Sequence, residues 1–348
     1  MYLKNNYNTK IKINEASDLG NITNLSIDKE KVYLAINGTH TPTLTISSVG
    51  YADKTVKWIS NNDSIVSVDS NGKIKGLKKG NTKVIAKVMD KEVSIDVVVT
   101  NLITLRPKEF NNKKKYLSCN IYSKEDNDLL DEILKDRINT VGYKTRAGVV
   151  EAARFLTLHF PYKIEYFYEN GRLGTNGIDG EGRYYHKGLY LNSSKYSTIS
   201  KSKNGPKVWG CSLYSTPVKH NDNNGLDCSG FVSWALLNGG FNPGDLGAGF
   251  TSTKNLTDLG NLKKITKSLI ESNKIKAGDL VHNYEATGHI GIIIGIDKYN
   301  YYVAQAIWYD DNGVTVTKVS KSYMPTKFPH VVLMDDYYKK DGNYTEMW

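Results

Sequence analysis

Gly225-Leu226-Asp227-Cys228-Ser229-Gly230-Phe231-Val232-Ser233-Trp234-Ala235-Leu236-Leu237 decides how the C-terminal half of this chain folds. Small and polar residues give way to an apolar run at helical spacing, so a helix is predicted to begin at or beside Cys228, capped by Asp227 or Ser229. The unpaired N–H groups and positive dipole end of that helix then face the thiol. Such a field favours thiolate over thiol, and a lowered cysteine pKa with a reactive nucleophile is the expectation. A buried structural thiol is the competing reading, and the polar flanks argue against it.

Downstream, Ile275-Lys276-Ala277-Gly278-Asp279-Leu280-Val281 leads into Thr287-Gly288-His289-Ile290-Gly291-Ile292-Ile293-Ile294-Gly295. A histidine that opens a β-branched run is held by the sheet at a fixed angle, as a general base requires. After a turn at 297–300, the run from Tyr301 to Ile307 is predicted to return antiparallel. The imidazole needs a polar partner on its second nitrogen, and Gln305 on the returning strand is the best placed candidate. In this scheme His289 accepts the thiol proton of Cys228 or holds it as an ion pair. The thiolate attacks a carbonyl, and backbone N–H groups of Cys228 and Ser229 receive the oxyanion. His159, His186, His220, His282 and His330 show no ligand spacing, so neither a metal nor any other cofactor is expected.

Asp227 to Val232, Ala277 to Leu280 and Gly288 to Gly295, in this order, resemble the NlpC-type cell-wall peptidases of the papain-like superfamily over about residues 200 to 310. The resemblance implies an α+β papain-like domain with the Cys helix packed on an antiparallel sheet. It implies hydrolysis of amide bonds in peptidoglycan stem peptides, beside D-γ-glutamate or in a cross-bridge, with Cys228 as nucleophile, His289 as base and Gln305 as the orienting third residue. CHAP-type amidases, which cut between N-acetylmuramic acid and L-Ala, share the Cys-Ser-Gly helix and Gly-His strand and are the alternative. Members of the family carry Tyr-x-Trp-Gly-Gly ahead of the nucleophile, where this chain has Lys207-Val208-Trp209-Gly210-Cys211. Lys207 then replaces a tyrosine that helps bind a free N-terminal amine, and a lysine repels that ammonium. Uncut stems or cross-bridges are favoured as substrate, with Lys207, Trp209 and Gly288 as the expected substrate contacts.

Toward the N-terminus the period changes from helical to alternating. Val32 to Ile36, Thr43 to Ile46 and Val93 to Val99 are short strand-like runs separated by Gly, Asn and Asp turns, the pattern of an all-β sandwich. Trp58, Ile65, Val68, Ile74 and Val84 are expected to fill its core, and Asn71-Gly72 to supply a positive-φ turn. Trp58 to Ser60, Ile65 to Val68, Gly72 to Gly76 and Gly80 to Ala86 resemble the bacterial immunoglobulin-like domain of the second type. Nothing in it looks catalytic, and it reads as a spacer.

Between the two lie a connector with Pro107 and Lys113-Lys114-Lys115, and two amphipathic segments. The first carries Leu129, Leu130, Ile133, Leu134 and Ile138 on one face behind Ser123 and Asp126, which form a capping box; the second runs from about Thr145 to Phe160. The stretch from Pro161 to Tyr196 is rich in Tyr and Gly. Its tyrosines line a sugar or peptide groove or cover the edge of a core. The expected organisation is an extension over 1–21, the immunoglobulin-like sandwich over 22–101, a connector over 102–124, and the papain-like domain over 125–348 with its catalytic core at about 200–335.

A chain of 348 residues carrying a net charge of +10 is long enough for several cores and is attracted to polyanions. The segment patterns of nucleic-acid binders are missing, which leaves peptidoglycan peptide as the expected partner together with anionic wall polymers. Three cysteines make no disulfide framework. No stretch approaches a membrane span and residues 1–14 have no apolar leader core. A monomeric protein, secreted or wall-associated after removal of a leader, or encoded by a phage, is expected. The reading from another class is a wall-binding protein or adhesin whose papain-like domain is inactive.

Overall fold

Alternating burial along short strands builds the first of the two units into which the chain divides, Met1–Leu105 and Arg106–Trp348. The computed structural model describes residues 20–107, 114–115, 122–164, 166, 226–243, 253–283, 288–308 and 313–348. In the first unit, β1 (Asn21–Ile27) pairs with β4 (Leu44–Val49), and β3 (Thr39–His40), β7 (Ile74–Gly76) and β6 (Val66–Val68) form a three-stranded sheet. The remaining strands, β2 (Lys31–Ala35), β9 (Lys91–Thr100), β8 (Gly80–Val88) and β5 (Lys57–Ser60), form a four-stranded sheet in that order. Its β2–β9 pair is parallel and the others antiparallel.

The core of this unit is Val32, Leu34, Val66, Ile74, Val84, Ile95, Val97 and Val99. Ile74 and Val84 lie where the alternation places them. Ile65 and Val68 do not: Val66 takes the buried position, and Trp58, Ile65 and Val68 pack partly exposed along the margin. A turn after Asn62, with the Ile65 and Val66 N–H groups both donating to its carbonyl, shifts the face by one residue. Gly72 adopts φ +81 in the 69–73 turn, beneath the Trp58 ring. Asp69 Oδ1 closes that turn by accepting from the Asn71 and Lys73 N–H groups, each at 2.9 Å.

The second unit starts with helices. Ser123 caps α1 (Lys124–Val141) by accepting from the Asp126 N–H at 3.1 Å, and Leu130, Ile133, Leu134 and Ile138 are its buried stripe. Thr145 caps α2 (Arg146–Arg154), which continues as a wider turn, Phe155–His159, closed where the Phe160 N–H reaches the Phe155 carbonyl. Then come α3 (Cys228–Asn238), α4 (Thr253–Leu259), β10 (Asn261–Lys264), α5 (Lys267–Glu271), β11 (Leu280–Asn283), β12 (His289–Ile296), β13 (Asn300–Ile307), β14 (Gly313–Ser320), α6 (Met324–Lys327), β15 (His330–Leu333) and α7 (Asp335–Tyr338). The strands make one antiparallel sheet in the order β10-β15-β11-β12-β13-β14. Helix α3 packs on α2 and on the central strands β12 and β13.

A fully buried arginine ties helices to sheet. Arg146, in the first turn of α2, donates to Asp279 Oδ1 at 2.9 Å, the Ala277 carbonyl at 3.0 Å, Asp335 at 2.6 Å and Asp341 at 3.0 Å. Asp279 in turn accepts from the backbone N–H groups of Lys276 and Met334. The Ala-Gly-Asp-Leu segment singled out in the sequence is therefore the point where α2, β11 and the C-terminal residues meet.

Candidate active site

Cys228 is the first residue of α3, and Asp227 is its N-cap. The Asp227 carboxylate accepts from the Gly230 N–H at 2.6 Å and from Ser229 Oγ at 3.0 Å, so of the two candidate caps the aspartate holds the position and the serine supports it. Cys228 is a free, half-buried thiol. Burial and the neighbouring Asp227 charge push its pKa up to about 12, against the N–H groups of Ile290, Ser229 and Cys228 itself, which pull it down. The expected activation by the helix terminus is present but outweighed: the same aspartate that caps the helix places a negative charge beside the sulfur.

The Ile290 N–H that acts on the sulfur belongs to the residue after His289. Helix start and strand start therefore meet at one site. His289 opens β12 opposite Asn283 of β11, and its ring stacks on Phe328, with centroids 6.2 Å apart and planes 28° apart. Its Nε2 lies 2.6 Å from Gln305 Oε1. Burial lowers the imidazole pKa most, Gln305 raises it, and the Lys327 charge lowers it further. Both shifts favour a neutral thiol beside a neutral imidazole.

Gln305 is 1 % exposed on β13, diagonal to His289 across the β12–β13 pairing. Its amide Nε2 donates to Thr317 Oγ1 on β14 at 2.6 Å. The amide oxygen thus faces the ring, His289 Nε2–H donates to it, and Nδ1 keeps the lone pair that a base needs. Gly291 leaves room for the crossing, since a Cβ there would come within 2.6 Å of Val303 Cγ1 and 3.4 Å of Gln305 Cβ.

The structure thus brings Cys228, Asp227, Ser229, His289 and Gln305 into one region. Gly288 is exposed at φ +61, and a Cβ added there would meet nothing within 4 Å, so backbone shape rather than space calls for glycine. Lys207 and Trp209 lie outside the described residues, as do Cys119, Cys211 and nearly all of the tyrosine-rich stretch. Sequence reasoning missed Phe328, Lys327 and Thr317. The last had a signal: Val314-Thr315-Val316-Thr317 alternates, and pairing it with the strand of Gln305 sets Thr315 opposite that residue and Thr317 two places along on the same face. Among the described residues no three His, Cys, Asp or Glu side chains gather as a metal site. No helix among them is long and apolar enough to cross a membrane.

Residues 204–332 match the NlpC/P60 family, and residues 21–100 match the bacterial Ig-like domain (group 2), in the order the motifs lead one to expect. The first match supports a cell-wall peptidase in general. Among solved structures, domains 4 and 5 of the S-layer protein SbsC share 23% identity, covering 23% of this chain and 53% of that one at a TM-score of 0.21. An intimin mutant of EHEC O157:H7 shares 20% identity over 35% of this chain and 68% of that one, at 0.19. This chain spans about half the length of the SbsC fragment, and at these scores neither likeness bears on fold or function.

Proposed function

We propose that the second unit is a papain-like cysteine hydrolase that cleaves amide bonds in peptidoglycan stem peptides, beside D-γ-glutamate or in a cross-bridge. The observation that carries this reading is the 2.6 Å bond from His289 Nε2 to Gln305 Oε1, which leaves Nδ1 as a base while the Ile290 N–H engages the Cys228 sulfur. The resting pair is neutral. As Cys228 attacks the scissile carbonyl, its proton passes to His289 Nδ1, a C–S bond forms, and the oxyanion takes N–H donors at the start of α3. His289 then gives the proton to the leaving amine, and the C–N bond breaks. Water, deprotonated by His289, attacks the thioester carbonyl; the C–S bond breaks, the peptide leaves as its carboxylic acid, and His289 returns the proton to the Cys228 sulfur.

The lysine at 207, in place of the family's tyrosine, supports substrates without a free L-Ala terminus. The immunoglobulin-like unit serves as a spacer, the net charge of +10 draws the protein to anionic wall polymers, and the protein acts as a secreted or wall-associated monomer. Mass spectrometry of purified walls digested by the intact protein tests the reading. Peptides cut within the stem or cross-bridge by the parent, and none by Cys228→Ala, are expected. Release of whole stems from muramic acid indicates the amidase chemistry instead, and a Cys228→Ala protein as active as its parent removes the nucleophile assignment.

A further inference from the structure

We propose that Lys327 is a specificity-determining residue: its ammonium takes a carboxylate that the substrate carries beside the scissile amide, so that peptides with this acid free are cleaved in preference to their amides. The proposal rests on the stem-peptide reading above and deepens it.

Lys327 ends α6, and its neighbours fix the chain there against the base. The ring of the next residue, Phe328, stacks on His289 with centroids 6.2 Å apart. Asn283, which pairs with His289 across β11 and β12, donates from its amide to the Lys327 carbonyl at 3.4 Å. The Phe328 N–H closes the turn on the Met324 carbonyl at 2.8 Å. From this anchored backbone a flexible four-carbon stem carries the ammonium, and its charge reaches the imidazole, whose pKa it lowers.

This lysine is half-buried without a counter-charge. Lys83 and Lys276 each face an aspartate, whereas no carboxylate among the described residues lies within ion-pair distance of Lys327. Asp227, the carboxylate of the site, is held by the Gly230 N–H and the Ser229 hydroxyl. An unbalanced cation here opposes the reaction, because His289 must itself become cationic when it takes the thiol proton. An anion that arrives with the substrate pairs with Lys327 and removes that opposition as the imidazolium forms. Stem peptides supply such a group in two places. A glutamate linked through its γ-carboxyl keeps its α-carboxylate free on the acyl side of the bond, and a stem that ends just beyond the cut carries its terminal carboxylate on the amine side.

Three N-acetylated stem peptides, digested by the intact protein, separate these sources: one with both acids free, one with the α-carboxylate of the γ-linked residue as carboxamide, and one with the terminal carboxylate as carboxamide. A loss in kcat/KM of roughly ten- to hundredfold, the worth of a hydrogen bond between charged groups, is expected for at least one amide and identifies the acid bound. Lys327→Gln is expected to lower kcat/KM for the free acid and to erase the discrimination, and Lys327→Arg to keep it. A K327Q loss spread evenly over the three peptides indicates a merely structural lysine and overturns the proposal. So does a parent that cuts all three equally, or one that digests walls but cuts none of them. Should K327Q fail to fold by circular dichroism, Lys327→Met removes the same charge and is read in the same way. Cys228→Ala is run alongside: if it retains activity, the underlying chemistry fails, whereas a dead C228A beside a parent indifferent to amidation overturns only the role of Lys327.

Discussion

The two units bury different kinds of residue. The core of the first is eight aliphatic side chains, and Thr100 is its one buried polar residue among those described. The second buries Arg146, Glu151, Arg154, Asp227, Asp279 and Gln305 along with its aliphatics. An aliphatic core is stabilised by area and shape, which tolerate similar replacements. Buried ionisable groups are stabilised only by particular partners, and each partner has one correct place. The difference matches the roles proposed for the two units: a spacer needs shape, while a site that moves a proton needs polar atoms held where water cannot reorganise them.

Replacing Arg146 with Met tests this contrast most severely. The guanidinium is fully buried and serves Asp279, which is 1 % exposed, as well as Asp335 and Asp341 at the surface. Removing one side of a buried pair leaves the other charge uncompensated, at a cost of about 3–5 kcal/mol. Chemical unfolding followed by Trp fluorescence and circular dichroism is expected to show that loss in the second unit's transition. A variant within ~1 kcal/mol of the parent would mean that Asp279 is carried by its backbone N–H partners alone.

Gly72→Ala probes the other side of the comparison and is expected to cost about 2 kcal/mol. The left-handed backbone accounts for roughly 1–2 kcal/mol of it. The rest comes from the Trp58 ring, 2.5 Å from the new Cβ. Because Trp58 lies at the margin of the core and is only partly buried, the ring can yield. The unfolding midpoint of the first unit should fall while wall digestion by the second stays at the parental rate. Equal damage to digestion would show that the spacer does more than hold a distance.

Much of the site is legible in the sequence because its information is local. Asp-Cys-Ser before an apolar run marks a helix start, Gly-His before β-branched residues marks a strand start, and a short turn puts Gln305 on the neighbouring strand. Arg146 is not legible, because its partners are 131 to 195 residues away and nothing about a helix N-terminus announces burial. Val66 escapes the pattern because a turn changes which residues of the alternation face inward. The cysteine pKa shifts in the direction opposite to the sequence expectation because the dipole effect is local and readable, while desolvation belongs to the folded whole.

That reversed shift yields the last test of the contrast, expected at about 1.4 kcal/mol for each pH unit. An ion-paired site loses activity in acid where its thiolate protonates, near pH ~4 in known cases, and loses it again in alkali where the imidazolium gives up its proton. In the present geometry burial, with Lys327 behind it, lowers the His289 pKa below its ordinary value, and burial with Asp227 raises the Cys228 pKa to about 12. The competent form is the neutral ring, so kcat/KM should be flat through neutral pH and fall tenfold per unit only once pH drops below the depressed histidine pKa, itself below ~6.5. No alkaline limb is expected until the thiol ionises. A bell-shaped profile with its alkaline limb in the neutral range would instead put the proton on His289 at rest, and the buried polar groups of this unit would then be stabilising a charge pair, not a neutral one.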